Sequence, residues 1–278
     1  MEWLTDHKIP LGDWTAALFK WITKHLAFLF DAVADALDWV IEGVLWLLNL
    51  PHPFLLIALF VALAWWLQRS WKICLFVGLG FLFCMNQGYW RETLETLSLV
   101  SLACLLCMAI GVPLGIYGAH RPRVWQGMLP VLDLMQTVPA FVYLIPIIVA
   151  FGLGMVPGLI ATVIFVLPAP IRLTQLGIST TPPALIEAAE AFGATRAQVL
   201  WKVEVPSALP QIMAGLNQTI MLSLSMVVIA GLVAADGLGV PVIRALNRVN
   251  AAQGFESGFV IAVVAIMLAR MFQRKGGK

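Results

Sequence analysis

The stretch Val205-Pro-Ser-Ala-Leu-Pro-Gln-Ile-Met-Ala-Gly-Leu-Asn-Gln-Thr-Ile-Met-Leu-Ser-Leu-Ser-Met-Val-Val-Ile-Ala-Gly-Leu-Val-Ala-Ala235 contains no Asp, Glu, Lys or Arg. A helix needs about 20 apolar residues to cross about 30 Å of hydrocarbon, and this run exceeds that. Outward from it, Gly43–Gln68, Ile73–Trp90 and Thr96–His120 are equally free of charge, and Val124–Ile171 contains only Asp133. Backbone polar groups in lipid must be satisfied inside a helix or a closed barrel. Barrel strands are short and alternate in polarity, and these runs do not. The fold class is therefore all-α, a polytopic helical bundle in a membrane.

The bulk composition agrees. The 278 residues are 61% hydrophobic and 12% charged, with mean hydropathy +0.91. A water-facing domain carries about 25% charged residues, so most of this surface must face something other than water. The formal net charge of +2 is too small to argue for nucleic acid. Cys74, Cys84, Cys104 and Cys107 all lie in apolar runs. Cys104-Leu-Leu-Cys107 has redox-motif spacing but no nearby His or acid, so these residues read as small buried side chains and not as a metal or disulfide site. Glu2 and Asp6, with no basic region ahead of an apolar core, argue against a cleaved signal peptide.

Residues 1–50 are not a simple span. At 100° per residue, Asp13, Lys20, Lys24, Asp31, Asp35, Asp38 and Glu42 fall on one narrow face of an otherwise apolar helix. That pattern predicts a helix lying in the membrane interface, as against one packed on soluble protein. Pro51-His52-Pro53 ends it. About seven spans are expected to follow, near 53–68, 73–89, 94–118, 127–150, 156–178, 207–233 and 257–273. Residues 51–92 hold the first two and 93–278 the remainder. Trp3, Trp14, Trp21, Trp39, Trp46, Trp65, Trp66, Trp71 and Trp90 crowd the first part of the chain. They read as an interfacial belt and not as a cation-binding cage, because they spread along the sequence.

Basic residues set the sidedness. Arg69, Lys72, Arg121, Arg123, Arg172, Arg196, Lys202, Arg270, Arg274, Lys275 and Lys278 all fall on one side of a seven-span layout. That side is expected to be cytoplasmic, with the C-terminus; the N-terminal helix then lies outside.

On the basic side lies Thr181-Pro-Pro-Ala-Leu-Ile-Glu-Ala-Ala-Glu-Ala-Phe-Gly-Ala-Thr-Arg-Ala-Gln-Val-Leu-Trp-Lys-Val-Glu-Val-Pro206. It reads as two short helices. Thr181 caps the first with Pro182 at its first position, and Gly193 ends it. Thr195 and Gln198 make a capping box for the second, and Pro206 limits that helix. A helical hairpin between two spans is more often a docking device than a passive linker.

Glu187-Ala188-Ala189, three residues, Gly193, nine residues, then Val203-x-Val205-Pro206 resembles the EAA loop of bacterial ABC importer permeases. That family usually has Ile and Leu where this chain has Val203 and Val205. Leu129 to Pro146, Ala235-Asp-Gly-Leu-Gly239 and the segment 249–258 look like the permeases of glycine betaine, proline betaine and choline importers. Together these matches cover roughly residues 90–275. The resemblance implies a five-helix type I importer core with two extra spans, a homodimer of permeases, a cytoplasmic ATPase dimer that binds ATP and Mg, and an external substrate-binding protein. It also implies that Glu187, Ala188, Ala189, Gly193, Val203, Val205 and Pro206 form a coupling loop seated on the ATPase, in a bacterial cytoplasmic (inner) membrane.

Asp133, Gln136 and Thr137 lie on one expected span, and Asn217, Gln218 and Thr219 on another. Intramembrane polar residues line a water path or make helix–helix hydrogen bonds, and the sequence leaves both open. No Gly-x-x-x-x-Gly-Lys-Ser/Thr occurs, so nucleotide and Mg are expected on another polypeptide, and no enzyme chemistry or cofactor is expected in this one. The chain also ends soon after the last expected span, so no fused binding domain is expected in it. An ion-gradient transporter would need more ionisable residues at mid-membrane, and a non-transporting scaffold would leave the polar residues of these two spans unexplained. A permease for another small solute, such as an amino acid, is the runner-up.

Overall fold

A computed structural model describes residues 11–273. Glu2, Asp6, Trp3, Arg274, Lys275 and Lys278 lie outside the described residues, as does the side chain of Asp13. Within them the chain is helical. The N-terminal segment forms α1 (Leu11–His25) and α2 (Ala27–Asn49). The expected single helix is interrupted at Leu26, whose φ of −111° and ψ of 15° leave the helical region. The Pro51-His52-Pro53 stop holds: α2 and α3 (Pro53–Gln68) meet at a bend of 101°. Ile41 of α2 is buried with Leu102, Ala103, Val156 and Leu159, so one side of α2 rests on the bundle.

α3 and α4 (Trp71–Asn86) form a hairpin turned by Arg69, which sits at a positive φ of 46°. The two join the main bundle: Leu56, Phe81, Leu97, Leu224, Val260 and Met267 are buried in one cluster. The Gln68 amide ties α3 to the end of α14 (Ala251–Phe272), donating to the carbonyls of Met271 at 2.8 Å and Gln273 at 2.6 Å.

The centre is α5 (Trp90–His120), crossed closely by α9 (Pro168–Ser179), which continues the span begun by α8 (Met155–Val166). A Cβ on Gly111 would lie 2.8 Å from Pro170, and one on Gly115 would lie 2.6 Å from Thr174 and 2.7 Å from the Ile171 carbonyl. Lipid tails are as apolar as Leu, so helices in a membrane associate through close contact at small residues. The Gly111-x-x-x-Gly115 spacing supplies it here.

The expected span 127–150 is the clearest departure. It is two helices, α6 (Pro122–Thr137) and α7 (Ala140–Phe151), bent by 93°. Pro139 has no N–H to continue the ladder and holds Val138 extended, at ψ 127°. Tyr143 serves the freed end: its hydroxyl lies 2.8 Å from the Met135 carbonyl and 2.5 Å from the Val138 carbonyl.

After α10 (Pro183–Ala191) and α11 (Arg196–Val199), the chain passes through a π-helical turn, Leu200–Glu204, into α12 (Val205–Leu232). α13 (Gly239–Asn247), a short helix between the expected spans 207–233 and 257–273, precedes α14. Among the described residues, four segments are long and apolar enough to cross a membrane: Trp90–His120, Met155–Ser179, Arg196–Leu232 and Ala251–Phe272. Two bent pairs, α2 with α3 and α6 with α7, also pass together, and α4 is a shorter apolar helix. The seven expected stretches are thus all helical, but not seven equivalent rods. Phe28, Trp39, Trp66, Ile145 and Phe255 stand outward, as a lipid-facing exterior requires.

Candidate docking loop and intramembrane polar face

The loop after α9 takes the hairpin form the sequence implies, with two changes. Pro182, not Thr181, is the first capping residue, and Pro183 opens α10. Thr181 is instead buried, its hydroxyl without a side-chain partner. Gly193 does end the helix, at φ +79°. Its N–H donates to the Glu190 carbonyl at 2.8 Å, and the next N–H donates to the Ala189 carbonyl at 3.0 Å. The capping box is present: the Thr195 N–H reaches the Gln198 side chain at 2.8 Å, and the Gln198 N–H reaches the Thr195 hydroxyl at 3.4 Å.

Pro206 does not limit the second helix. Arg196–Leu232 runs on as one span. The proline ring would clash with the Lys202 carbonyl one turn back and has no N–H to offer it. The backbone widens there into the π turn instead of breaking. Val203 and Val205 are half-buried in this segment and Pro206 is exposed.

No residue of α10 is buried. Glu187 and Ala188 are exposed and Ala189 half-buried, while Leu185, Phe192 and Trp201 show large apolar surfaces, Phe192 being 93% exposed. The exposed tip of the loop is thus apolar, beside carboxylates and flat alanines. The base of the loop is fastened to α5. His120 faces Glu204 through Nε2 at 2.9 Å, and its Nδ1 lies 3.0 Å from the Ile116 carbonyl. His120, Thr181, Glu187 and Glu204 share a cavity of about 340 Å³ behind the loop. His120 and Glu204 were not legible in advance; the one signal was an acid inside an otherwise apolar Val203-x-Val205 stretch.

The second feature lies within the spans. Asp133, Gln136 and Thr137 are at i, i+3 and i+4 of α6, so they share a face, and all three are exposed. Arg172, one of the basic residues of the cytoplasmic side in the layout above, lies within α9, inside the expected span 156–178, and its Nη2 donates to Asp133 Oδ1 at 2.6 Å. The residues of α12 do not form a comparable set. Thr219 is buried and returns its hydroxyl to the Gly215 carbonyl at 2.8 Å, Asn217 has a buried oxygen without a partner, and Gln218 is exposed. Consecutive residues on a helix point 100° apart, so they cannot share one wall. All four cysteines are free thiols, and the described residues contain no cluster of three metal-ligating side chains.

Comparisons with known proteins fit this architecture. Residues 111–272 match the family described as binding-protein-dependent transport system inner membrane component. The glycine betaine transport system permease protein OpuAB of Bacillus subtilis (strain 168) is 46% identical over 266 residues, covering 96% of this chain and 94% of that protein. The glycine betaine/carnitine transport permease protein GbuB of Listeria monocytogenes is 44% identical over 268 residues, covering 95% of each. The glycine betaine/proline betaine transport system permease protein ProW of Escherichia coli (strain K12) is 42% identical over 279 residues, covering 97% of this chain and 77% of that one. An inward-facing structure of the MetNI methionine ABC transporter shares the fold, with TM-score 0.58 at 21% identity over 67% of this chain and 96% of that one. The chain is a multi-pass membrane protein and belongs to the binding-protein-dependent transport system inner membrane components.

Proposed function

We propose that this chain is the permease subunit of an ATP-driven importer for small quaternary ammonium solutes of the glycine betaine and proline betaine kind, with choline as the solute to be discriminated against them. The observation that carries this reading is likeness along nearly the whole chain to permeases named for such solutes, including 46% identity to OpuAB over 96% of its length. The chain forms the translocation pathway and a second copy completes it. A separate ATPase dimer binds ATP and Mg, and a substrate-binding protein delivers the solute on the opposite face.

In this assignment the loop faces the cytoplasm, with the C-terminus, and the N-terminal helix lies outside, in the interface. Glu187, Ala188, Ala189 and Gly193 shape the surface seated on the ATPase, where Ala188 and Ala189 allow close approach and Glu187 offers a charge. Val203, Val205 and Pro206 carry its movement into α12. Asp133, Gln136 and Thr137 line the path; Asn217, Gln218 and Thr219 contribute through α12, Gln218 at its exposed surface and Asn217 and Thr219 through separate packed contacts. The test is uptake by the permease reconstituted with its ATPase and binding protein. ATP-dependent accumulation of labelled glycine betaine above labelled choline is expected. Uptake of an amino acid with neither of these taken up refutes the reading.

A further inference from the structure

Asp133 and Arg172 are bonded to each other inside the spans, yet both remain reachable. Asp133 keeps 60% of its side chain exposed and Arg172 keeps 34%. Arg172 stands seven residues before the end of α9 at Ser179, roughly 10 Å within the span at about 1.5 Å per residue. An ionised pair at that depth is costly against lipid and is placed against water or protein. The neighbours on the same face, Gln136 and Thr137, are polar and exposed as well, so this face of α6 is polar over two successive turns. A lipid-facing helix surface would not be.

The pairing also rests on a single contact. One N–H···O bond joins the two groups, from Nη2 to Oδ1. A planar guanidinium can meet a carboxylate with two parallel bonds; here it does not, and Arg172 Nε is buried without a partner. A single-bonded, half-exposed pair is one that other charges can open.

The solutes named for the three permeases described above share one chemistry. Glycine betaine, proline betaine and carnitine each carry a quaternary ammonium and a carboxylate. Such a zwitterion is a dipole of the same kind as an Asp–Arg pair, with a permanent ammonium charge and a carboxylate ionised at neutral pH. We infer that Asp133 and Arg172 form an exchangeable charge pair on the wall of the solute path. The pair opens as a zwitterion passes, with the ammonium meeting Asp133 and the carboxylate meeting Arg172, and closes behind it. This rests on the function proposed above. It gives the permease itself a preference for zwitterions over a cation such as choline, which could satisfy Asp133 but would leave Arg172 unpaired.

Two measurements on the assembled importer test it. In the first, Asp133→Cys and Thr137→Cys are treated with methanethiosulfonate ethyltrimethylammonium, a membrane-impermeant thiol reagent that itself carries a quaternary ammonium. The parent protein, whose Cys84, Cys104 and Cys107 are buried, supplies the background. Modification at least about tenfold faster than background, slowed by saturating glycine betaine, is expected; Thr137→Cys leaves the ion pair intact and reads the same face if Asp133→Cys does not assemble. Background rates at both positions mean that lipid or the second copy covers the face, and overturn the proposal. In the second, Asp133→Asn and Arg172→Gln should each lower glycine betaine uptake at least about tenfold, a barrier change of one decade, while still co-purifying with the ATPase. The exchange Asp133→Arg with Arg172→Asp should recover uptake to within about threefold of the parent, since coupled sites are read by such cycles. Parental uptake in both single variants, or an exchange no better than either, overturns the proposal and leaves the importer reading standing. A parent complex that imports no zwitterion overturns the importer reading, and this inference with it.

Discussion

At the scale of single residues, the informative positions are those where chemistry leaves little choice. Gly193 adopts φ +79°, and a Cβ there would meet nothing within 4 Å. The demand is therefore conformational and not steric. Gly193→Val should cost about 1–2 kcal/mol of local strain, because a β-branched residue resists the left-handed region. Insertion and expression should survive, while ATPase co-purification weakens and uptake fails; full uptake by the Val variant would remove the turn from the coupling mechanism. Gly193→Asn should be much milder, since Asn tolerates that region. This residue was legible from spacing alone, as was the Thr195–Gln198 box, because turns and caps are local events. His120–Glu204 and Asp133–Arg172 were not. Each joins residues far apart in the chain, and one sequence carries no record of which helices become neighbours.

At the scale of elements, apolar runs located the helices well but not their bends. A proline inside a hydrophobic run either kinks a helix or ends it, and the surroundings decide. Pro113 lies within continuous α5 and Pro210 within α12, whereas Pro139 separates α6 from α7 by 93°. The difference is what serves the released carbonyls. At Pro139 the Tyr143 hydroxyl stands within reach of two of them, so the break is held by a specific group. Tyr143→Phe should destabilise the solubilised protein by about 1 kcal/mol, the scale of hydrogen bonds measured inside membrane proteins, and lower its thermal midpoint. An unchanged midpoint would mean that those carbonyls are served in another way. The π turn at Leu200–Glu204 follows the same logic. There the chain widened around Pro206 instead of stopping, and the span continued into the loop. α11 is continuous with α12 and can carry a push into that span, whereas the turn at Gly193 separates it from α10.

At the scale of the whole molecule, the question is which end faces the cytoplasm. The structure orders the ends without reference to a membrane. Gln68 bonds to the carbonyls of Met271 and Gln273, and His120 bonds to Glu204. At the opposite end, the Gly154 N–H donates to the Val233 carbonyl, and the Leu238 N–H donates to the Thr96 hydroxyl. Following the helices between these ties gathers Arg69, Lys72, Arg121, Arg123, Arg196, Lys202 and Arg270 at the first end. Arg172 is engaged within a span, and Arg91, Arg244 and Arg248 lie toward the other end, fewer than the seven gathered here. An excess of Lys and Arg in short loops marks the cytoplasmic side, so that end should be inside. A cysteine at Gly154 should then react with an impermeant thiol reagent in intact cells. One at Arg123, which lies at the start of α6, should react only after permeabilisation. Gly154 adopts φ +135°, which a cysteine would strain, so Leu153→Cys, 67% exposed beside it, is the safer outer probe. Cys74 is partly accessible, and the unsubstituted protein must therefore set the background in both conditions. Labelling at Arg123→Cys in intact cells, with none at Leu153→Cys, would reverse the molecule in the membrane and turn the docking loop away from any cytoplasmic ATPase.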